Sequence, residues 1–85
     1  MNVYRADITI LPKDGVLDIQ GKAVEKTLKS HGYEASDDVR VGKFIRLNVA
    51  AGGEDEARRL VKAMAEDLLV NDLIEAYSYS LEPLK

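Results

Sequence analysis

The chain has 85 residues, with 12 Lys and Arg against 15 Asp and Glu, a net charge of -3, no cysteine and 46% hydrophobic residues. That length allows one domain, residues 1–85, whose stability is only roughly 3–5 kcal/mol unless a partner adds burial. The acidic balance argues against a nucleic-acid backbone as partner, the missing thiols exclude disulfides and thiolate metal sites, and no apolar run approaches the roughly 20 residues of a membrane span.

The opening "MNVYRADITI" lacks the charged-then-apolar layout of a signal peptide, so the expectation is a cytoplasmic protein with no membrane contact. "VYRADITIL" alternates: Tyr4, Ala6, Ile8 and Ile10 point one way, and Arg5, Asp7 and Thr9 the other, the period of a strand with one buried face. Pro12 and Gly15 break it. From Asp18 the period becomes helical through Gly21, Val24 and Leu28, with Asp18 as the N-cap and "HGY" at 31–33 as a glycine stop. "DVRVGKFIRLNVA" is strand-like again, and a hairpin of two strands joined near Gly42 and Lys43 is favoured over one long bent strand. "GGEDEARRLVKAMAEDLLVN" predicts a helix. Its first turn is acidic, Glu54–Arg58 and Asp55–Arg59 have i,i+4 spacing, and Ala57, Leu60, Val61, Met64, Leu68 and Leu69 form its apolar stripe. "LIEAYSYSLEP" closes the chain as a strand.

The order β-α-β-β-α-β predicts an α+β fold, a ferredoxin-like split βαβ sandwich with an antiparallel sheet and two helices on one face. The other face stays open and carries either the tyrosines of the last strand or Ala76, Ser78 and Ser80; the sequence leaves both arrangements standing. In so small a chain an open apolar sheet face would favour a homodimer or higher assembly.

Residues that could carry chemistry are sparse. His31 is the sole histidine, which rules out a multi-histidine metal site, and its place at a helix end explains it without catalysis. A Ser30–His31–Asp37 set has adjacency but no triad geometry behind it. Asp37 and Asp38 read as a solvated turn. Two places remain. In "VLDIQGKAV", Asp18, Gly21 and Lys22 lie at a strand-to-helix passage; the spacing is not the phosphate-binding G-x-x-x-x-G-K-S/T, and Gly21 reads as close packing or as a point of approach by a ligand or partner. In "VRVGKFI", Arg40 and Lys43 flank Gly42, either as a basic tip for an acidic partner or phosphate, or as a solvated turn. No catalytic, cofactor-binding or metal-ligating constellation emerges.

These same stretches carry a resemblance. Val16, Leu17, Asp18, Gly21 and Ala23, then Gly32 and Tyr33, then Val39, Arg40, Val41, Gly42 and Lys43 match in order the pattern of the PurS family, the small subunit of phosphoribosylformylglycinamidine synthase. The ending, through Leu69, Val70, Asn71, Ile74, Glu75 and Tyr77, is similar to the family's as well; Ile19 departs from it, standing where proline is common. The resemblance implies a place in de novo purine synthesis. There, formylglycinamide ribonucleotide, ATP and glutamine become formylglycinamidine ribonucleotide, ADP, phosphate and glutamate. It implies no active site and no cofactor on this chain, with ATP and magnesium on a large synthetase subunit and a cysteine nucleophile on a glutaminase subunit. The small subunit's implied work is to bridge these two partners, as a homo-oligomer, and to shield ammonia in transit. Asp18, Gly21, Lys22, Arg40, Gly42 and Lys43 are then candidate contacts for the larger subunits, and the sheet face the dimer contact. The alternative is a small-molecule-binding regulatory module of ACT type using the first strand-helix turn. An acylphosphatase-like enzyme fails for want of an arginine in "PKDGVLDIQ", and an RNA-binding sandwich for want of basic charge with exposed aromatics.

Overall fold

A computed structural model describes residues 1–84. Strand β1 (Asn2–Pro12) is the centre of a three-stranded antiparallel sheet, flanked by β2 (Lys43–Ala51) and β3 (Glu75–Leu84) in the order β2-β1-β3. Alternation along β1 buries Tyr4, Ala6, Ile8 and Ile10 on one face. The register turns that alternation into rows: Ile45–Ile8–Tyr79 and Leu47–Ala6–Leu81 lie across the sheet on the same face.

Helix α2 (Glu54–Met64) lies on that face, burying Ala57 and Val61. It starts at Gly53 without a side-chain cap, and Glu54, Asp55 and Glu56 in its first turn suit the positive end of its dipole. Of the two i,i+4 pairs in this helix, Glu54–Arg58 closes at 2.7 Å, and Asp55–Arg59 does not among the described residues. The helix continues into a π turn, Ala65–Leu69, closed by the Val70 N–H donating to the Ala65 carbonyl at 2.9 Å. That wider turn brings both Ala65 and Val70, five residues apart, into the core with Ala6, Ile8 and Ile10. It also leaves Leu68, expected in the apolar stripe, 82% exposed.

The α+β class and the antiparallel sheet are as expected. Three features differ. The expected hairpin over Val39–Val49 is one strand, β2, preceded by a strap, residues 39–42, that joins no ladder. The reason is chemical: the strap's donors are spent on side chains, with the Val41 N–H on Asp18 Oδ2 at 2.9 Å and the Val39 N–H on Glu25 Oε1 at 3.5 Å. The sheet is therefore a ferredoxin-like sheet whose edge strand after the first helix is unformed.

Helix α1 (Ile19–Ser30) does not share the sheet face with α2. Gly21 is its one buried residue, and the helix stands off the sheet in a molecule of 52 × 28 × 14 Å. The open sheet face, finally, is not apolar. It carries Ala76, Ser78 and Ser80, the ion pairs Arg46–Asp7 at 2.7 Å and Arg5–Glu82 at 2.6 Å, and Phe44 beneath Arg46. Tyr77 and Tyr79 lie on the helix side, their rings stacked with centroids 6.4 Å apart. A dimer contact through the open face loses its apolar basis.

Candidate functional site

β1 runs out at Pro12, where the missing N–H and fixed φ suit a strand end. The turn beyond it is tied down by the Lys13 N–H donating to the Ile74 carbonyl at 2.8 Å, and it bends at Gly15, whose φ of 81° is in the left-handed region. It delivers Asp18 to the start of α1. One Asp18 oxygen, Oδ1, accepts the Gly21 N–H at 2.9 Å, the N-cap expected from sequence. The other, Oδ2, reaches 23 residues along the chain to the Val41 N–H.

α1 ends as "HGY" foretold. The Gly32 N–H donates to the Lys29 carbonyl and the Tyr33 N–H to the Leu28 carbonyl, with Gly32 at φ 95°, the two-bond Schellman closure. His31 Nδ1 and Ser30 Oγ both lie 2.9 Å from the Thr27 carbonyl, so these two side chains serve the helix end.

Between the β1–α1 turn and the strap lies an open cleft of about 780 Å³. Asp18, Lys22 and Arg40 line it together, so two stretches far apart in sequence meet here. Arg40 sits between two carboxylates. It is 2.5 Å from Asp14 and makes two bonds of 3.2 and 3.3 Å to Asp38, a non-glycine residue held at φ 49°. Asp14, Asp38, Asp37 and Glu25 also line the cleft and outweigh its cations, Lys13, Lys22 and Arg40. This local charge disfavours a phosphate. Nor do Arg40 and Lys43 form one basic tip. Lys43 opens β2 and pairs with Glu75 at 3.5 Å.

Gly21 is packed. A Cβ there would collide with the Asp18 carboxylate and lie 2.5 Å from the Val39 carbonyl, which decides its role for close approach within the chain. Gly42 is packed too, with the Ile10 carbonyl where a Cβ would point. Asp14 and Glu25, which steady Arg40 and Val39, had no signal in the sequence, because neither has a periodic or short-range partner in the strap. Among the described residues no three His, Asp or Glu side chains are grouped to hold a metal ion.

The hydrogen bonds from Gly21 and Val41, in that order of effect, hold the Asp18 carboxyl below its ordinary value, with burial opposing and Arg40 assisting. Arg46 does the same for Asp7, chiefly through its hydrogen bond. Both carboxylates therefore stabilise the fold fully above the ordinary value of about 3.9. That contribution is lost as pH falls through the depressed folded values. A urea midpoint flat from pH 7 to 5 and falling below pH 4 is expected. In Asp7→Asn that fall should be shallower, and an identical acid profile would count against the assignment.

The comparisons with known proteins agree with one another. The family model "PurS: Phosphoribosylformylglycinamidine (FGAM) synthase" matches residues 5–83. The synthase subunit PurS of Bacillus subtilis is 40% identical over 80 residues, covering 94% of each chain. The solved structure of Thermus thermophilus PurS is 39% identical, with a TM-score of 0.86 and coverage of 98% of this chain and 99% of that one. A chain in the structure of PurLQS from Thermotoga maritima is 30% identical, with a TM-score of 0.83 over 99% of this chain and all 100% of that one. A match this long in sequence and in backbone leaves one conclusion: the chain belongs to the PurS family of phosphoribosylformylglycinamidine synthase.

Proposed function

We infer that this chain is the PurS subunit of an FGAM synthase, a part of the enzyme with no active site of its own, working in purine biosynthesis. The observation that carries this is the match of residues 5–83 to the family model. The relative in the PurLQS structure, matched over its whole length, supports an assembly with a large synthetase subunit and a glutaminase subunit. The cysteine nucleophile of such a glutaminase is not among these 85 residues, which hold no cysteine. The partners then perform the two reactions: one releases ammonia from glutamine, and the other uses ATP and magnesium to activate the amide oxygen of formylglycinamide ribonucleotide. This chain's work is to bridge them in the cytoplasm and to help close the ammonia path. Ammonia that escapes to water is protonated and ceases to be a nucleophile, so a closed path preserves the reaction.

Self-association belongs to the same reading, with its contact moved from the open sheet face to α1. Val24 is 42% exposed, and Leu17 and Ile19 beside it are more so. On the helix side of the sheet, Ile45, Leu47, Tyr77, Tyr79 and Leu81 are only partly covered. An uncovered helix stripe and an undercovered sheet on one chain complement each other between two copies. Lys22 and Arg40, at the cleft beside α1, remain the proposed contacts for the larger subunits, with Lys43 at the start of β2. Asp18, Gly21 and Gly42 support them from within.

The test is reconstitution of the synthetase and glutaminase with and without this chain. Glutamine-dependent turnover is expected to drop more than tenfold without it, while turnover fed by saturating ammonium salts persists. Full glutamine-dependent turnover in its absence would sink the bridging role.

A further inference from the structure

Residues 39–42, just before β2, join no strand, yet they are not loose. Their fixed points are on α1 and its cap rather than on the sheet. Asp18 accepts from Val41, Glu25 accepts from Val39, and the Gly21 backbone lies against the Val39 carbonyl with no room for a Cβ. Ties in the other direction are few: the exposed Arg40–Asp14 ion pair, and Gly42 against Ile10 where β2 begins. Surface ion pairs of that kind add little to stability. At the other end of α1 the connection is the turn around Gly15, with open space where its Cβ would be.

We propose that the Asp18 carboxylate is a two-point latch that makes α1 and residues 39–41 a single rigid arm, ordered independently of the sheet. A carboxylate suits this because both of its oxygens accept and neither donates. One oxygen caps the helix through Gly21; the other holds the strap through Val41. Glycine at position 21 is part of the device, since any side chain there would displace the carboxylate from between its two donors. The latch also gives Arg40 a fixed seat, because its neighbours Val39 and Val41 are each anchored by their backbone N–H to an acid of the arm. None of this depends on what the arm docks against, so it stands or falls separately from the assembly role.

Asp18→Asn separates the two points. Asparagine is as good an N-cap as aspartate, but it offers one accepting oxygen and turns an NH2 group toward the second donor. Amide hydrogen exchange on the full-length protein, in its native oligomeric state at neutral pH, reads the result directly. One of the two amides, Gly21 or Val41, is expected to exchange at least tenfold faster in Asp18→Asn while the other keeps its rate. The amides of Ala6 and Ile8 in β1 should not change. Unchanged exchange at both Gly21 and Val41 would overturn the latch. So would acceleration of the β1 amides in step with them, because the strap would then be ordered by the sheet.

Discussion

Gly42→Ala is expected to cost about 3 kcal/mol, the upper end of what overpacking costs, and to lower the melting temperature by roughly 12–24 °C. Gly42 counts as exposed, and its φ is not in the left-handed region, so neither burial nor backbone conformation argues for glycine there. The reason is directional. A Cβ on Gly42 would point into the Ile10 carbonyl oxygen and come within 2.8 Å of Leu11 Cδ2. A backbone carbonyl in the central strand cannot swing aside as a flexible side chain can, so relief means shifting the start of β2 against β1. With Ile10 opposite Lys43 in the ladder, that shift strains the register of the row beside it. For a domain of this size such a loss is comparable to the whole stability its core supplies. Thermal unfolding of the variant checks it, and a loss below about 0.5 kcal/mol, the level of an ordinary surface change, would contradict the packing.

The second large effect is on association. Val24→Asp with Leu28→Asp is expected to convert the proposed oligomer to a 9.4 kDa monomer at micromolar concentration, with the sheet's circular dichroism preserved. Each aliphatic side chain gains roughly 1.5–3 kcal/mol when fully buried, so losing both weakens association about a hundredfold or more. Introducing charges at an apolar contact adds their desolvation to that loss. The chain itself should tolerate them, since Gly21 is the one fully buried residue of α1, Val24 is exposed and Leu28 is only half-buried. Sedimentation velocity of the pair against the unaltered protein decides the matter. An unchanged oligomer would place the contact elsewhere, and unfolding of the sheet would mean that α1 supports its own chain after all.

Both effects come from the part of the molecule that was hardest to read in the sequence. The strands at the two ends were legible because alternation is local: Tyr4, Ala6, Ile8 and Ile10 declare a buried face without reference to anything else, and all four are buried. Asp18 as a cap and Gly32 as a stop were legible for the same reason, their partners lying within five residues. The face of β3 was ambiguous in sequence because Tyr77 and Tyr79 tolerate either a core or a wet surface, and the depth of α2 over the sheet decided it.

At the candidate site, local residue types pointed to the right neighbourhood and misread its inner arrangement. Asp18, Lys22 and Arg40 do meet around one cleft. The acid–glycine–lysine turn is present, with Asp18 accepting from Gly21, but the basic tip is not, since Arg40 is clamped by Asp14 and Asp38 and Lys43 turns to Glu75.

What the sequence determined by itself was every feature set by neighbours along the chain: the alternating strand faces, the capped start and glycine end of α1, the acidic opening of α2, and the ordered residues of the family's pattern. Only the tertiary structure decided whether Val39 and Val41 would be strand or strap, where α1 would lie, and which glycines have room for a side chain. The physical reason is that a backbone N–H is satisfied equally by a ladder carbonyl or by a carboxylate. The choice between them rests on an acid 23 residues away, which no local pattern records.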